Sequence, residues 1–363
     1  MFSRKHCAIA ALLVGIAPAR AQSPAADSTV ALPGITVTAL RYPLPAERAP
    51  VRVLRLERTW IATSSSVVAA LERHAGLFVR RYGTGLASLS LRGSSPSQTA
   101  VLIDGLPLND PQLGQVDLSL LPLFIVDRIE VVHGAASARY GTGAMAGAVD
   151  LRTAPTEGGF AASAVGGRGT FGAGQVGAGV AYASGGWSVR LAGEYRADAG
   201  DFPFWNASLF PPRKAPRAGA DLAQASVFGH VVRTRVAGRT AIGVFGAFAD
   251  RGLPGPSTAV PAGERQEDGL HRLWAIHERD DAGGRWRGTV ALHQNRLRYT
   301  HPRLAIDDEG RNRTASVQLE RSGTAGRLAG TVGVGGSTSL ARHPHLATSA
   351  TQAQGAVFAS GAR

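Results

Sequence analysis

Residues 187–196 read WSVRLAGEYR. Trp187, Val189, Leu191, Gly193 and Tyr195 alternate with Ser188, Arg190, Ala192, Glu194 and Arg196. Successive side chains of an extended chain point to opposite faces, so this period of two predicts one strand with an apolar face and a wet face. The same texture recurs downstream. Ile242, Val244, Gly246 and Phe248 alternate with smaller residues, Trp286, Gly288, Val290 and Leu292 with Arg287, Thr289, Ala291 and His293, and Ala315, Val317 and Leu319 with Ser316, Gln318 and Glu320. Strands of a soluble sandwich alternate too, but are commonly nearer five or six residues long. Strands of ~10 residues, apolar outside and polar inside, suit a transmembrane barrel. About ten such strands fit between residues 159 and 360. Long connections at 198–220 and 250–267 alternate with tight ones at Ala237-Gly238 and Ala282-Gly283-Gly284. Long loops at one end and short turns at the other are the barrel arrangement.

The 363 residues include 46 Gly, 20 Pro and one Cys, with a formal net charge of +13. The apolar fraction, 44%, is that of a folded chain. Arginines are scattered singly rather than grouped with aromatic residues, which argues against a nucleic-acid partner and leaves an anionic lipid surface as the reading of the basic balance. The N-terminus carries Arg4 and Lys5, then AIAALLVGIA (8–17) and Ala19-Arg20-Ala21. A basic start, a short apolar run and an A-x-A site predict a signal peptide over 1–21, cleaved after Ala21. Cys7 would leave with it, so no disulfide framework is expected. No run approaches the length of a membrane helix. The expected fates are a soluble periplasmic protein or an outer-membrane barrel.

Residues 22–50 are small, polar and Pro-containing, a flexible segment interrupted by GITVTALR (34–41). Within it Ile35, Thr36, Val37, Thr38 and Ala39 form a β-prone strip, readable as an edge strand or as one that adds to a partner's sheet. A small α+β unit follows over 51–154: a Ser-capped helix within 64–75 stopped by Gly76, strands at 89–93, 100–105, 126–134 and 149–153, and a single helical turn at 119–122. Gly141, Gly143 and Ala146 make a formal G-x-G-x-x-A match, but Val149-Asp150-Leu151 reads as strand where a dinucleotide site needs a helix. The stretch is expected to be a tight return between two strands. Asp104, Asp110, Asp117 and Asp127 read as turn formers or as ion-pair partners of Arg92, Arg128 or Arg139. The ten histidines are dispersed, His343 and His345 straddle Pro344 in a loop, and G-x-S-x-G is absent. No catalytic constellation, cofactor site or metal site is expected, and the chain does not read as an enzyme.

The order of these features resembles a family. A signal peptide, the isolated ITVTA strip, SLRGSSPSQTAVLIDGLPLNDP (90–111), DRIEVVHGAASARYGTGAMAGAVDLRT (127–153) and a barrel texture are similar to a TonB-dependent outer-membrane receptor. DRGLPGP (250–256) is similar to a segment in barrels of the cobalamin-type branch. The resemblance implies that residues 35–39 are the TonB box, that 51–154 are a plug, and that 155–363 belong to the barrel. It implies a cell outer-membrane location, TonB with its inner-membrane energising complex as partner, outer-membrane lipid around the wall, and uptake of a scarce small-molecule ligand such as a siderophore, another metal chelate or cobalamin. The plug motif it marks consists of Arg92, Gly93, Asp104, Gly105, Asn109, Asp110, Arg128, Glu130, Gly134, Tyr140 and Gly141. Of these, Arg92, Asp104, Arg128 and Glu130 are expected to hold the plug in the barrel through partly dry ion pairs. His133-Gly134-Ala135 departs from the family's Arg-Gly-Pro and removes one charge expected between plug and barrel.

Family barrels have about 22 strands. About 208 residues follow Pro155, enough for about ten at ~20 residues per strand and connection, and the last residues, FASGAR, lack a terminal aromatic. A truncated receptor is therefore expected, since an open sheet leaves two unpaired edges in lipid. A surface binding or signalling receptor of the same fold that does not transport is the alternative. A closed ten-strand adhesin would not need the plug motifs.

Overall fold

The computed structural model describes residues 36–37, 44–45, 52–57, 64–82, 87–134, 140, 142–153, 158–258, 260–325 and 328–362. The signal peptide, most of the 22–50 segment, and Ile35, Thr38, Ala39, Arg139 and Gly141 lie outside them. In chain order the first elements are β1 (Thr36–Val37), β2 (Leu44–Pro45), β3 (Arg52–Leu56), α1 (Val67–Glu72), β4 (Leu77–Arg81), β5 (Ala87–Leu91), β6 (Thr99–Ile103), β7 (Leu106–Pro107), β8 (Val126–His133) and β9 (Gly147–Thr153). β1 and β2 form a two-residue antiparallel ladder. The sheet of the globular unit has the order β3-β8-β9-β6-β7, and β4 and β5 make a separate hairpin.

Local chemistry explains these elements. Ser66 starts α1, its side chain accepting from the Ala69 amide at 3.1 Å, and Val67, Val68, Ala70 and Leu71 turn their apolar face into the core. All five residues of β6, TAVLI, are buried, as a central strand requires, and β6 runs parallel to β9. β8 and β9 are antiparallel neighbours. The described part of the G-x-G-x-x-A stretch, residues 142–146, gives one 3-10 turn at Thr142–Ala144 and leads directly into β9. β3, β4 and β7 were not expected from the sequence. They are short, and β4, LFVRR, reads as neither clean alternation nor an apolar run.

The second half is one antiparallel sheet of ten strands in sequence order. It begins with β10 (Gly159–Arg168), β11 (Gly174–Ser184) and β12 (Trp187–Asp198). A small loop hairpin of β13 (Pro203–Asn206) and β14 (Arg213–Pro216) precedes β15 (Leu222–Arg235), β16 (Gly238–Leu253) and β17 (Glu264–Asp281). The remaining strands are β18 (Gly284–His301), β19 (Ile306–Ala325), β20 (Leu328–Arg342) and β21 (Ala350–Ala362). β10 and β21 are the edges. Connections alternate as expected: turns at 185–186, 236–237 and 282–283 at one end, loops at 199–221, 254–263 and 343–349 at the other.

Alternation sets two faces. Trp187, Leu191, Tyr195, Ile242, Val244, Phe248, Trp286, Val290, Leu292, Val317 and Leu319 are exposed on the outer face. The inner face departs from the expected polar lining. Phe228, Phe245 and Trp274 point inward and are buried, and they belong to the same apolar cluster as Leu118, Leu120 and Leu121 of the globular unit. The reason is that this wall faces protein rather than water. Trp274 lies across Gly243 of the neighbouring strand, where a Cβ would come within 2.2 Å of its ring.

Candidate functional site: the contact between globular unit and wall

The stretch LIDGLPLNDP turns out to be a hairpin followed by a docking loop. Asp104 (φ +49°) and Gly105 (φ +85°) both occupy the left-handed region, the two-residue turn that best matches strand twist. Asp104 accepts from the Thr153 amide at 3.0 Å and hydroxyl at 2.8 Å, and the Gly105 amide donates to Asp150 at 3.0 Å. Asn109 then closes the loop on the sheet: its Oδ1 accepts from Val101 N at 2.8 Å, and its Nδ2 donates to the Thr99 and Gly114 carbonyls at 3.0 Å each. Asp110 accepts from the amides of Gln112 (2.8 Å) and Leu113 (3.0 Å). Asp117 caps the next 3-10 turn through Ser119 N and accepts from Ala87 N, both at 2.9 Å.

These two turn-forming carboxylates also reach the wall. Asn312 of β19 donates to Asp110 at 2.9 Å and 3.1 Å, and Asn295 of β18 donates to its Oδ2. Arg272 of β17, almost wholly buried, donates to the Leu108 carbonyl at 3.1 Å and to Asn295 Oδ1 at 2.7 Å. Arg251 of β16 is fully buried, 0% exposed. It donates to Asp117 at 2.7 Å, to Ser119 Oγ at 2.9 Å and through Nε to Asp268 at 3.0 Å. A guanidinium removed from water between two carboxylates and a hydroxyl has its donors aimed at fixed acceptors, which gives a stiff, geometrically specific joint. Phe124 adds an apolar contact: it lies over Gly177 and Gly179 of β11, where added Cβ atoms would come within 3.4 Å and 3.2 Å of its ring.

The described ion pairs of the expected plug residues lie within the globular unit. Glu130, buried in β8, takes Arg128 at 3.0 Å, Arg55 at 3.3 Å and Arg152 at 3.6 Å. Arg152 also meets Asp150 at 2.9 Å. Burial pushes the Asp150 carboxyl up, and Arg152 pulls it part of the way back. For Arg152, burial opposes the charge, but Asp150, Glu130 and Asp104 outweigh it and hold the guanidinium above its ordinary value. Contrary to expectation, Arg92 is exposed, sits at φ +49° beside Gly93 (φ +77°), and has no ion pair among the described residues. Asp104 is a turn residue, bonded to Thr153. His133 is buried at the end of β8. The amide of Gly134 (φ +102°) donates to Ala146 at 3.2 Å, and Tyr140 is half-buried nearby in sequence. Of the 35–39 strip, Thr36 and Val37 pair with Pro45 and Leu44.

Sequence reasoning did not single out Arg251, Asp268, Arg272, Asn295 or Asn312 as a set. They sit on four strands, and only registration of those strands brings them to one loop. Between that loop and the wall is a cavity of about 170 Å³, bordered by Asp110, Gln112, Asp117, Asp268, Asn295 and Asn312. It lies toward the long-loop end. Gly105, by contrast, approaches Arg287 near the tight-turn end, where a Cβ would lie 3.8 Å from Nη2. Arg287 lies 3.8 Å from both Glu278 and Glu320. No group of three or more candidate metal ligands occurs among the described residues, and no described helix is long and apolar enough to cross a membrane.

Residues 47–148 match the family model described as the TonB-dependent receptor plug domain. This match identifies the globular unit as a TonB-dependent receptor plug domain. The vitamin B12 transporter BtuB of Vibrio vulnificus is 30% identical over 150 residues, which is 41% of this chain and 24% of that protein. Its counterpart in Photobacterium profundum is 32% identical over 150 residues, 40% of this chain and 25% of the relative. Among solved structures, a mutant of the ferric enterobactin receptor of Pseudomonas aeruginosa superposes with a TM-score of 0.65 at 16% identity, covering 87% of this chain and 55% of that one. The copper transporter OprC gives 0.64 at 14% identity, with 81% and 46% covered. At such identities the structural matches show the fold: a plug with part of a β-barrel. The chain spans about a quarter of the length of the curated relatives it matches. Those relatives are named as transporters and receptors rather than enzymes.

Proposed function

We propose that this chain is the plug and part of the wall of an outer-membrane receptor that takes up a scarce small ligand, a siderophore, cobalamin or similar chelate, with energy delivered through TonB. The observation that carries the reading is the wall-bound loop 108–120. It faces the long-loop end, is fastened to the wall by Arg251, Arg272, Asn295 and Asn312, and borders a cavity, so a ligand arriving at that end meets the plug at its joint with the wall. The plug hairpin 103–106 points toward the tight-turn end, the side from which a periplasmic partner would act.

Coupling is assigned to Ile35, Thr36, Val37, Thr38 and Ala39. A strip of alternating Thr and apolar residues adds to a sheet edge through main-chain hydrogen bonds, which need no particular side chains. The test is binding of the purified chain to the soluble periplasmic domain of TonB. Val37→Pro deletes one main-chain donor and resists pairing, and is expected to weaken binding by at least about tenfold. Unchanged affinity would remove 35–39 as the coupling strand.

A further inference from the structure

The outer face of β18–β20 carries an arrangement that uptake does not use. Register places Arg296 directly opposite Arg311, and Arg311 directly opposite Arg342. Three like charges in one cross-strand row are unfavourable unless something anionic neutralises them. Acids do so at one end only. Glu309 pairs with Arg296 at 2.8 Å and also with Arg311, and Glu267 takes Arg296 at 3.2 Å. At the other end, Arg342 is exposed and has no acidic partner among the described residues, while Arg313, one step nearer the turn end, has a neutral partner, Gln294, at 3.0 Å.

The side on which these arginines project follows from strand parity. Asn312, between Arg311 and Arg313, points inward to Asp110, so both arginines point outward with Ala315, Val317 and Leu319. On β20, Ala341 faces Asn312 while Leu340 faces Arg313, which sends Leu340 and Arg342 to the same outer side as Val332 and Val334. The arginines therefore stand at the rim of the outward apolar band, at its long-loop border. Cations at that border, with aliphatic stems lying along the band and guanidinium heads beyond it, match a lipid phosphate rather than a solute of the lumen.

We infer that Arg313 and Arg342, beside Arg311 whose charge Glu309 already meets, form a site for a phosphate-bearing lipid headgroup in the leaflet at the long-loop end. This rests on reading the outer face as lipid-facing, and the test separates the two. The full chain in lauryldimethylamine oxide micelles is titrated with dioleoyl phosphatidic acid or dioleoyl phosphatidylcholine, and lipid retention is read by native mass spectrometry. Phosphatidic acid is expected to be retained preferentially. Arg342→Gln should weaken it about fivefold and Arg313→Gln with Arg342→Gln about 25-fold, following ~1 kcal/mol per basic residue at a lipid surface. Arg303→Gln, in the 302–305 loop, should change nothing. In parallel, brominated acyl chains should quench the outward Trp187 and Trp286 in wild type and double variant alike. Persisting quenching with unaltered phosphatidic acid retention in the double variant overturns the site while the barrel reading stands. Displacement by inorganic phosphate overturns the lipid source, and absent quenching overturns both.

Discussion

Replacing Arg251 with Met tests the joint between plug and wall at its most buried point. The substitution keeps an unbranched aliphatic stem and removes a guanidinium that is 0% exposed. Asp117 and Asp268 are left facing each other without their shared cation. Deleting one partner of a buried ion pair typically costs about 3–5 kcal/mol. Here the remaining donors temper the loss: Asp117 keeps the Ala87 and Ser119 amides at 2.9 Å each, and Asp268 keeps Gln266 Nε2 at 2.9 Å and 3.1 Å. The lower end, about 3 kcal/mol, is therefore expected. In an Asp268→Asn background only one carboxylate is stranded, and the cost of Arg251→Met should fall to about 1.5 kcal/mol, a coupling of the same size. Urea unfolding of the detergent-refolded chain, analysed by linear extrapolation, measures both. Amide exchange over 108–121 should rise in the single variant, because that loop is what Arg251 holds. A loss below about 1 kcal/mol with unchanged exchange in 108–121 would show that the joint does not depend on this cation.

Three further outcomes follow from the geometry. Gly147→Ala should destabilise the plug by more than about 2 kcal/mol in the same unfolding assay, because at φ +146° its Cβ would come within 2.2 Å of the Val132 carbonyl oxygen and 2.5 Å of Leu91 Cδ1. Phe124→Ala empties the contact over Gly177 and Gly179; since the ring is only partly buried, about 1–2 kcal/mol is expected, and adding Gly179→Val should not restore it, a result double-variant unfolding would read directly. Asp150 carries a raised pKa, so between the ordinary value of 3.8 and its own pKa the native state binds more protons than the unfolded state. Stability should therefore fall as pH rises through that window. Asp150→Asn should abolish this part of the slope, as unfolding midpoints over a pH series would show.

Much of the fold was legible along the chain because strand chemistry repeats locally. Alternation at Trp187–Tyr195 and Trp286–Leu292 marked outward faces, and the glycine-containing connections marked the tight ends; both signals need only near neighbours in sequence. The helix over Val67–Glu72 was visible for the same reason, through its Ser cap and the stop at Gly76. β4 and β7 were not, since they have too few residues for periodicity and are strands because of what they pair with. The plug motifs were also legible, but their partners were not. Asp110 and Asp117 read as turn formers or ion-pair partners; they are turn formers, and nothing local showed that each carboxylate also accepts from the wall.

The sequence by itself determined the class: a plug-like α+β unit before long alternating strands. Only the tertiary structure decided which charges matter. Arg251 lies 134 residues from Asp117, and Asn312 lies 202 residues from Asp110. Such pairs are chosen by strand register and by the seating of one unit inside another. The inner apolar wall has the same origin. Phe228, Phe245 and Trp274 are inward because a folded plug, not water, occupies the space they face, and a residue's own strand cannot say what will stand opposite it.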